Sequence, residues 1–188
     1  VPESPNRYPS RIFNAMVAPI CRYRVKGTLW YQGENNTDRA QAYAPLFQSM
    51  ITDWRQQWRQ ADMPFYWVQL ANYKNAAATP TESDWGTLRA AQNAALALPH
   101  TGQAVIIDVG DANDIHPHDK QTVAHRLALM ALQNDYGQTE VYSDSPQPVE
   151  AHTDAAGNVI VTFDHVARGL KAHNRYGYVN AFAMAGTD

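Results

Sequence analysis

The apolar positions of the chain alternate between stretches with helical spacing and short runs with strand character. Ser10 is placed to cap a helix over Arg11 to Tyr23, with Phe13, Met16, Val17 and Ile20 on one face and Pro19 positioned to kink it. Val25 to Tyr31 then reads as a strand. Asn36 or Thr37 opens a long helix whose apolar face is Tyr43, Leu46, Phe47, Met50, Ile51, Trp54 and Trp58. Phe65 to Leu70, introduced by Pro64, is a second strand, and residues 72–83 form a loop rich in Ala, Thr and Pro. Trp85, Leu88, Ala91, Ala95 and Leu96 make the next helical face, stopped by Pro99. The run Ala104 to Val109 has the continuous apolar character of a buried parallel strand. A last helix runs from about Lys120 to Tyr136 and ends at Gly137, a natural residue for the left-handed position after a helix.

This alternation predicts an α/β fold in three layers, a parallel sheet with helices on both faces. After about residue 140 the texture changes: Pro146 and Pro148 break the chain, and Asn158 to Phe163 alternates after an Ala-Gly-Asn turn. The expected division is therefore an α/β part over 1–140 and a β-rich segment over 141–188.

Composition narrows the function classes. A net charge of −3 with no basic cluster argues against nucleic acid as a partner. The apolar runs are too short and interrupted for a membrane span. The single Cys21 has no internal disulfide partner, and no signal peptide is visible. The chain begins at Val1 rather than methionine, which leaves its true start, and secretion, open.

In open α/β sheets ligands bind beyond the carboxyl ends of the strands, so the residues just past each strand are informative. After the first come Gln32, Gly33, Glu34, Asn35 and Asn36; after the second, Gln69 and Asn72; after the third, Asp108, Asp111, Asn113, Asp114 and His116. Loops are polar in any case, but the coincidence of all these groups at one sheet edge points to a functional site. A histidine acts as general base near neutral pH when a carboxylate orients its ring. Asp114 lies two residues before His116, with Pro117 stiffening the exit, and Asp111 competes for the orienting role. A solvent-exposed loop histidine is the plainer reading. A metal reading of Asp114, His116, His118 and His125 fits no standard zinc spacing.

Gln32-Gly33-Glu34 leaves its strand through a glycine that lets backbone approach a ligand closely, unless it is only a turn. The Gln32 amide and neighbouring N–H groups are candidate donors to a developing oxyanion. Glu34 accepts only, so a buried Arg89 would make it a structural brace. Trp30, Tyr31, Trp67 and Tyr73 are either sugar-stacking surfaces or core packing.

The same residues carry a resemblance. Tyr8-Pro9-Ser10, Phe13-Asn14-Ala15-Met16 and Ala18-Pro19-Ile20 precede Lys26-Gly27-Thr28-Leu29-Trp30-Tyr31-Gln32-Gly33-Glu34-Asn35-Asn36, which is similar to the KG-x-x-WYQGE-x-N block of sialate O-acetylesterases, members of the SGNH (GDSL) hydrolase superfamily. The likeness continues through Ile51-Thr52-Asp53-Trp54-Arg55, Pro64-Phe65, Val68-Gln69-Leu70-Ala71-Asn72 and Leu88-Arg89-Ala90-Ala91-Gln92. It closes on Gly110-Asp111, Asn113-Asp114-Ile115-His116-Pro117, Lys120-Gln121 and Arg126-Leu127-Ala128-Leu129.

The resemblance implies a flavodoxin-like SGNH domain and a serine esterase that removes O-acetyl groups from sialic acid or related O-acetylated sugars or glycans, without cofactor or metal, and it favours a periplasmic or secreted location; the alternatives are an acetyl xylan or other polysaccharide deacetylase of the same superfamily and a catalytically inactive sugar-binding domain. It implies that His116 and Asp114 are catalytic, that Gln32 and Gly33 form oxyanion or substrate contacts, and that Glu34, Arg89 and Asn72 support them. Many SGNH enzymes have asparagine where Gln32 stands, and an aspartate three rather than two residues before the histidine; the sialate subfamily resembles this chain in both respects. The family's G-Q-S-N- or G-D-S-like nucleophile block does not occur: Ser4, Ser10, Ser49, Ser83, Ser143 and Ser145 all lack that context. The expectation is a domain incomplete at its N-terminus, with the serine outside this chain and no activity of its own. The stretch from Val159 to Gly186 resembles the start of the family's following β-rich region.

Overall fold

The computed structural model describes residues 8–172, 177, 182 and 184. Strands β1 (Thr28–Trp30), β2 (Phe65–Val68) and β3 (Thr101–Ala104) form a parallel sheet in the order β1-β2-β3, with Thr28 opposite Phe65 and Phe65 opposite Thr101. All residues of β2 are buried, as a central parallel strand with both faces covered must be. Its alternation assigns the two faces. Phe65 and Trp67 pack with Tyr43, Phe47 and Ile51 of helix α1 (Ala40–Trp58) and with Trp85 and Leu88 of α2 (Asp84–Asn93). Tyr66 and Val68 pack with Val123, Leu127 and Met130 of α3 (Lys120–Asp135). The sheet thus lies between two helical layers, as the periodicity predicts.

Arg55, near the end of α1, fastens this frame. Its guanidinium is buried and donates to the carbonyls of Met63, at the entry to β2, and of Pro99 and His100, at the entry to β3, at 3.0, 2.7 and 3.1 Å. The helix stops at Arg59, whose left-handed φ of 52° lets its N–H and that of Gln60 cap the last turn.

Several elements differ from their sequence expectation. The first helix is not a regular α-helix: Phe13–Val17 is a π-helical turn and Ala18–Ile20 a 3-10 turn with Pro19 in its first positions. Ser10 adopts a positive φ of 62° rather than the extended geometry of a helix cap. Met16 and Ile20, expected on the apolar face, are exposed. The first strand contracts from 25–31 to Thr28–Trp30, because its ladder begins at Thr28 N–H on the carbonyl of Pro64, a residue with no N–H to return. The turn at Asn36 and Thr37 belongs to a 3-10 segment, Glu34–Arg39, and α1 starts only at Ala40.

The third strand lies earlier than Ala104 to Val109. Its register with β2 ends at Val68 opposite Ala104, Gln69 N–H closes the ladder on the Ala104 carbonyl, and the chain then turns. Ile106 is buried but Ile107 faces solvent. Leu46 and Leu96 are also exposed despite helical spacing. Leu46 sits on the outer edge of the α1 stripe, so Leu46→Lys is expected to shift stability by no more than about 0.5 kcal/mol in urea denaturation. A larger loss would place Leu46 back in the core.

Helix α3 ends as expected: Tyr136 closes it and Gly137 follows at φ 69°. The β character of the tail is present as an antiparallel hairpin, β4 (Gln147–Thr153) and β5 (Val159–Asp164). Asp154 holds its turn, accepting from the N–H groups of Ala156 and Asn158 and from the Asn158 side chain. Beyond residue 172, most of the stretch that resembles the family's β-rich region lies outside the described residues. Among the described residues no helix is long and apolar enough to cross a membrane.

Candidate active site

Because β1, β2 and β3 are parallel, the loops that leave their carboxyl ends share one edge of the sheet. Gln32-Gly33-Glu34, Asn72 and the segment from Asp108 to His118 therefore lie at that edge. Two bonds join the second and third loops: Gly110 N–H donates to Asn72 Oδ1 at 2.7 Å, and Lys74 N–H to the Ala112 carbonyl at 3.0 Å. A side chain on Gly110 would collide with the Asn72 carbonyl oxygen, so glycine is required there by close approach. The base of the third loop is clamped from α3, where Arg126 grips both carboxylate oxygens of Asp108 at 2.6 and 2.7 Å and the Val105 carbonyl at 2.6 Å.

Within this loop Asp114 serves both histidines. Its Oδ1 accepts the His116 backbone N–H at 2.8 Å and lies 3.4 Å from His116 Nδ1; its Oδ2 is 3.0 Å from His118 Nε2. The His116 N–H first, and then His118, hold the Asp114 carboxyl below its ordinary value. The rings of His116 and His118 are exposed, so the imidazole that a base would use is open to solvent. Asp111 does not compete for His116: its carboxylate accepts the Asn113 N–H at 2.7 Å in a local turn. Asp119 caps α3 through Thr122 and sets where the loop ends. Among the described residues no set of His, Cys, Asp or Glu side chains is arranged to hold a metal, and no serine hydroxyl is hydrogen-bonded to His116.

Gln32 is held from two sides. Its Nε2 donates to Asn36 Oδ1 at 2.7 Å, while the Tyr43 hydroxyl lies 3.2 Å from both its Oε1 and its carbonyl. The amide keeps a second N–H for a ligand. Gly33 has φ 152° and ψ −20°, a conformation strained for other residues, and an added Cβ would press on Leu88 and Gln92. Behind it, Gln92 is fully buried on α2. Gln92 Oε1 accepts the Leu70 N–H at 3.0 Å, and its Nε2 donates to the carbonyls of Gln32 and Val68, each at 3.3 Å. One side chain thus ties together the exits of β1 and β2.

The expected Glu34–Arg89 brace is absent. Glu34 opens the 3-10 turn on the other side of the loop, where its charge adds to burial in raising the Tyr31 and Tyr43 phenols. Arg89 makes no ion pair or side-chain hydrogen bond among the described residues, and burial alone lowers its pKa. Of the aromatic candidates, Trp67 is fully buried and Trp30 packs on Phe47, Trp54 and Phe65, so both are core. Tyr31 lies under the Lys120 ammonium. Tyr73 packs on Trp85 and lines an open cleft of about 1090 Å³ together with Thr37, Asn72 and Arg89.

In the sequence Gln92 and Arg126 carry no role of their own, and His118 stands out only as a possible metal ligand. The spacing of His118 four residues after Asp114 was the available signal for it.

Residues 4–133 match the family described as carbohydrate esterase, sialic acid-specific acetylesterase. A sialate O-acetylesterase of Mus musculus is 36% identical over 183 residues, covering 85% of this chain and 32% of that protein. The Homo sapiens sialate O-acetylesterase is 32% identical over 157 residues, covering 74% of this chain and 30% of its own length. The crystal structure of a carbohydrate acetylesterase from Xanthomonas citri superposes with a TM-score of 0.75 at 43% identity, covering 85% of this chain and 37% of the other. The chain thus spans about a third of the length of these relatives. Its matched residues contain both the Gln32 loop and the Asp114–His116 loop, and the chain belongs to the sialic acid-specific acetylesterase family of carbohydrate esterases.

Proposed function

We propose that this chain supplies the His-Asp arm and part of the oxyanion wall of an SGNH-type serine esterase that removes O-acetyl groups from sialic acid or related sugars. The nucleophilic serine, in this reading, lies outside these 188 residues. The observation that carries it is Asp114 Oδ1 on both the N–H and the Nδ1 of an exposed His116, at the sheet edge that also bears Gln32.

The chemistry obeys the logic of acyl transfer. His116 Nε2 takes the proton of the serine hydroxyl as Oγ attacks the acetyl carbonyl, and Asp114 stabilises the imidazolium. The Gln32 amide and the Gly33 N–H stand for donors to the oxyanion. Collapse expels the sugar alkoxide, which receives the proton from His116; water, activated by the same ring, then releases acetate from the serine.

A broader reading, a xylan or other polysaccharide deacetylase of the same superfamily, draws on the 43% identity to the Xanthomonas citri carbohydrate acetylesterase. Acetate release from O-acetylated sialic acid and from acetylated xylan, measured side by side, separates the two. The polypeptide carrying this chain at the length of its relatives should turn over the sialic acid ester, whereas the 188 residues alone should stay at background. A burst of product from the 188 residues alone would mean that one of their own serines is the nucleophile.

A further inference from the structure

Among the described residues Arg89 is a half-buried cation without a counter-charge. It stands on α2, among the described residues it has no ion pair or side-chain hydrogen bond, and its surroundings withdraw water without supplying a carboxylate in return. Removing a guanidinium from water is costly unless an anion or well-placed acceptors compensate. The cleft that Arg89 lines adds further donors. Asn72 uses its Oδ1 on Gly110 and keeps its amide N–H groups, and the Tyr73 hydroxyl has no hydrogen bond among the described residues. Tyr73 and Trp85, with ring centroids 5.1 Å apart, give the cleft an apolar wall on which a sugar ring can lie. Two carboxylates, Glu82 and Asp84, also line the cleft, but both are exposed and neither is paired with Arg89.

The cleft adjoins the candidate active site directly. Asn72, which lines it, accepts from Gly110, and Lys74 bonds Ala112, so its wall and the His116 loop share hydrogen bonds.

We propose that this cleft is an anionic subsite in which Arg89 receives the carboxylate of an acidic O-acetylated sugar, with Asn72 and Tyr73 donating to its oxygens and Trp85 supporting the ring. This rests on the esterase reading for what becomes of the bound sugar, but not for the binding itself. Arginine suits the role because its planar fork matches a carboxylate at two points.

The test compares an O-acetylated sialic acid with its methyl ester, two substrates that differ in the charge Arg89 would read and by one methyl group. In the full-length polypeptide, kcat/KM for the free acid should exceed that for the ester by about 10-fold or more, the scale of one charge-assisted pair. Arg89→Met should bring the ratio close to one, and Arg89→Lys should restore part of it. Equal rates for acid and ester in the unsubstituted protein would overturn the proposal, and that comparison does not depend on any variant folding. An undiminished ratio in Arg89→Met would do the same. If neither substrate is hydrolysed the esterase reading fails, and calorimetric titration with the deacetylated acid and its methyl ester then decides the subsite by the same ratio.

Discussion

Substituting His116 by alanine in the full-length polypeptide is expected to lower kcat for acetate release by about 10⁴-fold while leaving KM nearly unchanged. The proton transfers assigned to His116 are made only in the transition state, so their loss falls on the chemical step rather than on ground-state binding. The exposure of the ring supports the split, because few protein contacts are lost when it is truncated. The steady-state parameters for an O-acetylated sugar read the effect directly. Activity within a few-fold of the unsubstituted protein would remove His116 from the mechanism and direct attention to His118, which makes the shorter contact with Asp114.

Gln92→Leu is expected to cost about 4 kcal/mol of folding stability. The change strands the Leu70 N–H in the core and strips the Gln32 and Val68 carbonyls of their shared donor. Each buried polar group left without a partner costs about 1–3 kcal/mol, and no water reaches a side chain with 0% exposure to replace the amide. Urea denaturation monitored by tryptophan fluorescence reads the loss. A cost under about 1 kcal/mol would mean that the strand exits hold themselves and that Gln92 is a passenger.

The layered architecture was legible because apolar period and strand length are local properties. Tyr43, Phe47 and Ile51 on α1, the run from Phe65 to Val68 and the capped end at Gly137 could all be placed from spacing alone. The errors arose where the partner strand decides. Ala104 to Val109 is apolar enough for a strand, yet β2 offers pairing only as far as Val68, so the ladder stops at Ala104 and the remainder turns away. The first helix departs for a local reason: Pro19 has no N–H to continue an α-helical ladder, and it sits in the first positions of the 3-10 turn that follows the π-helical residues.

At the site, the short-range contact between Asp114 and His116 lies within the reach of sequence spacing. The long-range choices do not. Glu34 and Arg89 are separated by helix α1 and strand β2, and nothing in their identities says that the carboxylate lies toward Tyr31 and Tyr43 instead. Gln92 is hidden for the complementary reason: a glutamine on a helix reads as solvent-facing, and only the packed structure reveals its three bonds to the strand exits.

The two bonds that join the loops after β2 and β3 have a mechanical consequence. Asn72 and Lys74 move with Gly110 and Ala112, so a displacement of that stretch reaches the segment bearing His116. From Asn75 to Glu82 the same loop makes no hydrogen bond to the His116 segment among the described residues, and it lines the cleft instead. That arc can lengthen, shorten or change its chemistry without retuning the base. In the esterase reading, substrate range and proton transfer therefore sit on adjoining but separate loops, so a change in the cleft wall leaves the setting of the proposed base untouched.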